Sequence, residues 1–334
     1  METDTPLFSV VIVSYRNGEQ WKDAVDSVLT QDYPAIELIV SDDGSPDFLP
    51  EAAEEFIAAR KCGSLVRSVI LKSDKNLGTV ANMRKADALC TGRYLLHFAA
   101  DDALAGEHVL ASFASALRKK EPEVLGVYGR SEICDSDLHP CGTCSFDPVQ
   151  AMAMNTLSPQ EQWQRLCQGC CIHMGATAFV REEYLQSGGI DPTFDILDDW
   201  PFFLENARRG KRFQFIDWPA LRYRQGGVTQ KRGANPGYRR LLSDHLLLVE
   251  QQILSYSSEL SLLQRLRIWM RYLDDRADAR KMFGELSHIA YRELRCLYSG
   301  APVFLLLWWI KRHRRQIAAV GVILLCLWLI TTFK

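Results

Sequence analysis

The sequence predicts an α/β protein with a parallel sheet covered by helices on both faces, and three observations predict it. Apolar, β-branched runs alternate with stretches of helical period through the first 130 residues. The connections between them are short. The runs are apolar throughout rather than every second residue, as strands buried on both faces require. The composition agrees, since 334 residues with 47% hydrophobic and 24% charged side chains suit a packed core and exclude collagen-like, disordered and disulfide-scaffold classes. The 39 basic and 41 acidic side chains leave a formal charge of -2. No overall basic excess exists to gather nucleic acid, so no nucleic-acid partner is expected and any anion site is local.

Residues 8–14 form the first apolar run, bounded by Asn17-Gly18. Trp21, Val25, Val28 and Leu29 then share one helical face, and Pro34 marks the exit. The pattern continues with a strand at 36–40, a helix at 50–59, a strand at 65–71 and a helix at 77–89. A strand at 94–98, a helix at 109–117 and a strand at 124–128 follow. Between 134 and 169, Pro140, Gly142, Pro148 and Pro159 predict long loops. Residues 213–216 and 221–223 read as two short closing strands, and an amphipathic helical stretch rich in Leu and Arg begins near Tyr238.

Residues 1–6 carry two acids and no apolar stretch, unlike a secretory signal, which points to a cytosolic body with most of its 10 cysteines reduced. At the other end, residues 317–333 carry no charged side chain and reach about 25 Å as a helix, the short limit for a bilayer. Lys311-Arg312-His313-Arg314-Arg315 precedes them, and Trp308-Trp309 precedes that cluster. Basic flanks face the cytosol, so the expectation is an interfacial helix at 302–310 followed by a membrane anchor, with an interfacial hairpin as the alternative. Three regions result: a catalytic domain over 1–235, an amphipathic helical extension over 236–300, and an anchor region over 301–334.

Ligands of open α/β sheets gather at the carboxyl ends of strands. There the sequence places Ser41-Asp42-Asp43-Gly44-Ser45 after the second strand and Ala100-Asp101-Asp102 after the fourth, with Asp198-Asp199 ahead of an apolar helical stripe. A single acidic pair is explained as well by helix capping as by function. Several pairs suit a hard divalent ion such as Mg or Mn, which needs one or two carboxylates plus substrate phosphates, and a separate acid acting as base.

The ordered set Val10-Val11-Ile12-Val13-Ser14-Tyr15-Arg16-Asn17, Ser27-Val28-Leu29-Thr30-Gln31-Asp32-Tyr33-Pro34 and Asp42-Asp43-Gly44-Ser45-Pro46-Asp47 resembles the opening of family 2 glycosyltransferases. The likeness continues through Asn76-Leu77-Gly78, Gly92-Arg93-Tyr94, Ala100-Asp101-Asp102, Gly188-Gly189-Ile190-Asp191 and Leu197-Asp198-Asp199-Trp200. The resemblance implies a GT-A fold, a nucleotide-sugar donor, most often a UDP-sugar, a divalent metal, and inversion at the anomeric carbon. By motif position it implies that Asp42 and Asp43 contact the base, that Ser14 and Tyr15 line the donor site, and that Asp101 holds the ribose. Asp102 would ligate the metal, and Asp199 would be the catalytic base. Three departures stand out: Ala99 occupies a position where the family often has an acid, Asp198 replaces the common Glu, and Arg84 is displaced by one residue from the usual arginine. The processive Gln-x-x-Arg-Trp signature is absent, which implies addition of one sugar at a time.

The expected function is transfer of one sugar to a lipid-linked saccharide at the cytosolic face of a bacterial inner membrane, in cell-surface polysaccharide synthesis. A polyprenyl-phosphate acceptor and a non-catalytic membrane scaffold that keeps a nucleotide-sugar pocket are the alternatives. Arg222, Arg224, Lys231 and Arg232 flank Gly226-Gly227, a segment able to fold over a diphosphate or to remain a solvated loop. Cys141, Cys144, Cys167 and Cys170 have a spacing open to structural zinc or to unligated thiols. His173 is either an acceptor contact or an interior histidine, and Trp163 and Trp200 either stack on sugar or pack inside.

Overall fold

The computed structural model describes residues 5–60, 63–226 and 236–283, which fall into two units, Met1–Arg232 and Gly233–Lys334. In the first unit β1 (Phe8–Ser14), β2 (Ile36–Asp42), β3 (Leu65–Lys72) and β4 (Tyr94–Ala99) pair in parallel in the order β3-β2-β1-β4. Helices α1 (Trp21–Leu29), α2 (Pro50–Arg60) and α3 (Thr79–Asp87) make the connections. Every residue of β2 is buried, and only Val13 of β1 is partly open, which is why these runs lack alternation. On α1, Trp21, Ala24, Val25, Val28 and Leu29 are buried, and each large side chain contributes roughly 1.5–3 kcal/mol by leaving water.

Burying all of β2 also buries Glu37. Ser9 Oγ (2.5 Å), Thr91 N (2.8 Å), Thr91 Oγ1 (2.8 Å) and Arg67 (2.6 Å) all donate to its carboxylate. Burial opposes ionisation, yet these donors hold the Glu37 pKa below the usual carboxylate range, so it remains ionised inside the sheet.

Beyond β4 the sheet is mixed, which corrects the expectation of a parallel sheet. β8 (Thr177–Val180) runs antiparallel to both β4 and β6 (Val124–Cys134). β9 (Arg212–Arg224) is parallel to β6, and β5 (Ala103–Leu104) and β7 (Pro140–Cys144) add antiparallel edges to β9 and β6. The two closing strands read from sequence are one strand, β9, which continues through Pro219.

The expected loops at 134–169 contain β7, α5 (Pro148–Met154) and α6 (Pro159–Leu166). Pro148 and Pro159 begin helices rather than break them. Asp147 caps α5 through Val149 N (2.9 Å), and Ser158 forms a capping box with Glu161 on α6. Helices α4 (Val109–Lys119), α7 (Arg181–Gln186) and α8 (Asp199–Arg208) complete the unit.

In the second unit α9 (Pro236–Leu248) passes through a π segment, Val249–Ile253, and a 3-10 segment, Leu254–Glu259, into α10 (Leu262–Phe283). No helix among the described residues is long and apolar enough to cross a membrane. The expected interfacial helix at 302–310 and anchor at 317–333 lie outside the described residues.

Candidate functional site

Register brings the first group of candidates together. Ser14 of β1 lies opposite Asp42 of β2, which lies opposite Lys72 of β3, and Val13 lies opposite Ala99 of β4. All four strands therefore end on one edge, and the chain crosses that edge through Asp43 N to Ser14 O (2.8 Å), Ser73 N to Asp42 O (2.9 Å) and Ala100 N to Val13 O (2.8 Å). Ser14, Tyr15, Asp42, Asp43, Asp101 and Asp102 thus share the carboxyl edge of the parallel half. Tyr15 projects from it, 41% exposed, with its backbone N–H donated to Asn17 Oδ1 (2.7 Å).

Asp42 and Asp43 build this edge with their carboxylates. Ser45 donates to Asp42 from its backbone N (2.7 Å) and its hydroxyl (2.6 Å), while Ser45 Oγ accepts from Arg16 N (2.7 Å), which ties the loop after β1 to the loop after β2. Asp43 accepts from Asn76 Nδ2 (2.7 Å), Leu77 N (2.7 Å) and Gly78 N (2.9 Å). Because Asn76, Leu77 and Gly78 serve Asp43, α3 begins at Thr79, two residues later than the periodicity predicts. Between the acids, Gly44 has φ +81°, and a Cβ there would lie 2.6 Å from the backbone carbon of Lys75.

Asp101 is partly open and Asp102 is 2% exposed. Burial and the adjacent Asp101 push the Asp102 carboxyl well above the usual range, and Arg224 partly offsets them. Asp102 Oδ1 accepts from Arg224 N (2.9 Å), whereas Oδ2 accepts no hydrogen bond from any described residue. A carboxylate oxygen left over on a buried side chain, beside a second, more open acid, fits a hard divalent cation that draws its remaining ligands from water and phosphate.

Of the basic residues around Gly226-Gly227, Arg224 is held in place and not free to close over a diphosphate. It is 5% exposed, and its guanidinium is committed to Asp101 O (2.7 Å), Asp23 Oδ2 (2.7 Å) and Ser136 O. Lys231 and Arg232 lie outside the described residues.

The second half of the sheet delivers Asp199. Because β8 is antiparallel to β4, with Leu96 opposite Ala178, the chain enters β8 from the edge where β4 ends. Met174–Ala176 lead into it from that side, and further upstream Cys170 Sγ stands 3.9 Å from Asp199 Oδ2. Asp199 opens α8, accepts from Trp200 N (2.6 Å), and follows Asp198, whose side chain makes no cap to the helix. Burial raises both acids. Asp199 is pushed up to about 6, and Asp198, further raised by the neighbouring Asp199, to about 8. Near neutral pH the pair holds about one proton between its two carboxyls, so one of the two is ionised.

Other candidates are set aside by their surroundings. Trp163 (0% exposed) and Trp200 (4%) are interior, and Trp200 Nε1 donates to Leu166 O (2.8 Å), so neither presents a face to a sugar. His173 is not set aside: it is partly buried, its Nδ1 pairs with Ser131 Oγ (2.9 Å), it meets the Tyr223 ring edge-on at 4.9 Å, and burial pushes it down to about 4. Among the described residues no three of the thiols Cys141, Cys144, Cys167 and Cys170 gather within metal-sharing distance, which removes the zinc reading.

Sequence reasoning missed Asp135, Asp137 and His139, whose ligand atoms lie within 4.8 Å of one another on the exposed turn between β6 and β7. It also missed the Cys170 contact and the committed role of Arg224. The Asp-x-Asp-x-His spacing was the available signal for the first; the other two depend on pairings between distant strands.

Comparison with known proteins follows the same lines. The family described as "Glycosyl transferase family 2" matches residues 9–188. A PGL/p-HBAD biosynthesis glycosyltransferase of Mycobacterium bovis is 31% identical over 124 residues, 37% of this chain and 46% of that protein. The uncharacterized glycosyltransferase EpsJ of Bacillus subtilis is 24% identical over 230 residues, 66% of this chain and 61% of that protein. The chain thus spans about half the length of the first of these relatives. Among solved structures, S. aureus TarS 1-349 in complex with UDP-GlcNAc has a TM-score of 0.57 at 13% identity, over 84% of this chain and 76% of that one. A mannosyltransferase from Pyrobaculum calidifontis, in complex with GDP-Man and Mn2+, has a TM-score of 0.55 at 18% identity, over 96% and 87%.

Proposed function

The chain belongs to glycosyl transferase family 2, and from that premise we propose that it transfers a single sugar, with inversion, from a UDP-sugar to a lipid-linked saccharide. Its Rossmann-like GT-A fold places the ends of β1, β2 and β4 where a nucleotide diphosphate binds in open α/β sheets. The observation that supports the reading is the gathering of Asp42, Asp43, Asp101 and Asp102 at one strand edge, with Asp199 beside Cys170 on the segment that leads toward β8.

In this reading the loops braced by Asp42 and Asp43 cradle the base, Ser14 and Tyr15 line the donor, and Asp101 meets the ribose. Asp102 would hold a divalent Mg or Mn ion, which would supply positive charge against the leaving diphosphate. Asp199 removes the proton from the acceptor hydroxyl as that oxygen attacks the anomeric carbon from the side opposite the diphosphate. Asp198, protonated, keeps a second negative charge away from the base.

The choice of UDP rests on the motif resemblance around Asp42-Asp43 and finds a parallel in the UDP-GlcNAc bound by TarS; the GDP-Man of the mannosyltransferase is the competing donor. The lipid-linked acceptor, the role in surface polysaccharide synthesis and the membrane attachment on the cytosolic side rest on the apolar residues 317–333 and the basic cluster ahead of them. Ala99, where the family often carries an acid, motivates the competing reading of a non-catalytic nucleotide-sugar binder. Calorimetry with UDP- and GDP-sugars plus Mn, paired with a nucleotide-release assay containing crude lipid acceptors, separates the two. Binding with turnover that is lost in Asp102→Ala and Asp199→Asn supports the transferase, and binding without any turnover supports the binder.

A further inference from the structure

Buried arginines are costly unless every face of the guanidinium is met, and Arg224 is met by three separate elements. Nε donates to the Asp101 carbonyl (2.7 Å), one terminal nitrogen to Asp23 Oδ2 in the first turn of α1 (2.7 Å), and the other to the Ser136 carbonyl between β6 and β7. Its backbone N–H takes Asp102 Oδ1 (2.9 Å). One residue at the end of β9 therefore holds both members of the acidic pair, the first by its main chain and the second by its carboxylate. It leaves Asp102 Oδ2 as the oxygen without a partner among the described residues. Packing alone does not call for a cation at this point. A neutral side chain of similar length would fill the space without desolvating a charge. The fork geometry matters as well, because a lysine ammonium cannot reach three acceptors in one plane.

We propose that Arg224 is a positioning residue for the cation and diphosphate end of the donor site. It fixes the Asp101-Asp102 turn with Asp102 Oδ2 left open to a ligand, and its positive charge would keep the two acids together before a cation binds. The inference rests on the proposed nucleotide-sugar reading but makes a separate claim, that the metal-dependent part of nucleotide affinity is set by a residue that touches neither metal nor nucleotide.

The test is UDP binding by calorimetry, once with Mn and once with EDTA, in the full chain, in Arg224→Lys and in Asp23→Asn. The quantity read is the ratio of the two dissociation constants, which a general loss of stability does not move in a folded fraction. Arg224→Lys is expected to shrink the Mn-dependent gain at least tenfold while metal-free UDP affinity changes less than twofold. Asp23→Asn changes a half-exposed carboxylate and removes one of the three anchors, so it is expected to fold and to shrink the gain about threefold even if Arg224→Lys does not fold. An unchanged ratio in a folded Arg224→Lys, or in Asp23→Asn where the first variant fails to fold, overturns the inference and leaves the function reading standing. Absence of UDP binding, or of any Mn-dependent gain, in the unaltered chain overturns the metal-dependent donor site and this inference with it.

Discussion

Lowering the pH from 7 to 5 is expected to cut the proposed transfer roughly tenfold, because Asp199 must be ionised to accept a proton and burial has pushed its carboxyl up to about 6. With that value the ionised fraction is roughly 0.9 at pH 7 and roughly 0.1 at pH 5; an acid in the usual range near 4 would stay about 0.9 ionised at pH 5 and show almost no loss. Asp198 sharpens the test. Its rise to about 8 comes from burial first and then from the charge of Asp199, whereas Asp199 is raised by burial and is helped to ionise by its bonds from Trp200 N and Cys170. Asp198→Asn is therefore expected to retain the acid limb near pH 6, and Asp199→Asn to lose about 10²–10⁴ in kcat at every pH, the usual worth of a general base. The assay is release of nucleoside diphosphate from the donor across pH 4.5–9, with binding followed in parallel so that lost affinity is not read as lost chemistry. A profile flat down to pH 5, or Asp199→Asn with unaltered kcat, refutes the assignment of the base.

Four further outcomes follow from particular contacts. Replacing Asp198 by Asn is expected to raise the melting temperature by a few degrees above pH 8: a carboxyl raised on folding favours the fold while protonated and costs stability as pH climbs through its folded value, so the gain vanishes near pH 4. Asp43→Ala strands the donors of Asn76, Leu77 and Gly78 and is expected to cost about 2–4 kcal/mol in denaturant unfolding, with weaker nucleotide binding. Gly44→Ala meets both a positive φ and the Lys75 backbone at 2.6 Å and is expected to lower the urea midpoint by an amount equal to about 2 kcal/mol or more. Ser158→Ala removes half of a capping box on α6 and is expected to cost about 1 kcal/mol with nucleotide affinity unchanged, a control for stability loss away from the site.

How much of this was legible in the sequence divides at β4. The parallel half was readable to within two residues: β1, β2 and β4 are buried almost throughout, 8–14 coincides with β1, β2 runs two residues past expectation, and β4 and the more exposed edge strand β3 differ by one residue each. Beyond β4, strands pair with distant partners, and local pattern carries less. Gly126 and Gly129 sit inside β6 because Phe179 and Ala220 lie where a Cβ would go, a reason visible only once β8 and β9 are in place. Pro219 in β9 likewise falls at an irregular stretch of the β6 pairing, between Tyr128 and Ser131, so a residue that reads as a break is absorbed within one strand. The acids were legible as a set, since each follows a strand or precedes a helix, but their division of labour was not. Nothing in Ser41-Asp42-Asp43-Gly44-Ser45 says that both carboxylates are spent on the protein's own donors.

That division has a chemical logic. An enzyme that holds a diphosphate must keep acids close to anions, and unpaired carboxylates there would repel the substrate. Asp42 and Asp43 avoid this by accepting five protein hydrogen bonds between them, which spread their charge into the loops after β1, β2 and β3. Asp102 leaves one oxygen unused among the described residues, and Asp199 keeps only the Trp200 N–H and a long thiol contact. Asp102 and Asp199 are thus less committed to the protein than Asp42 and Asp43, and they are the two from which the proposed reaction asks something, one a cation and the other a proton. Substituting Asp42 by Asn separates this logic from a simple count of charges. The amide keeps an oxygen for Ser45 N but presents N–H to Ser45 Oγ, which loses its own donation to residue 42 and must turn to accept the amide alongside the bond from Arg16 N. If the carboxylate is scaffolding, Asp42→Asn loosens the turn and weakens donor binding severalfold with kcat nearly intact; a kcat loss as large as that of Asp199→Asn would place Asp42 among the groups that act on the reacting atoms.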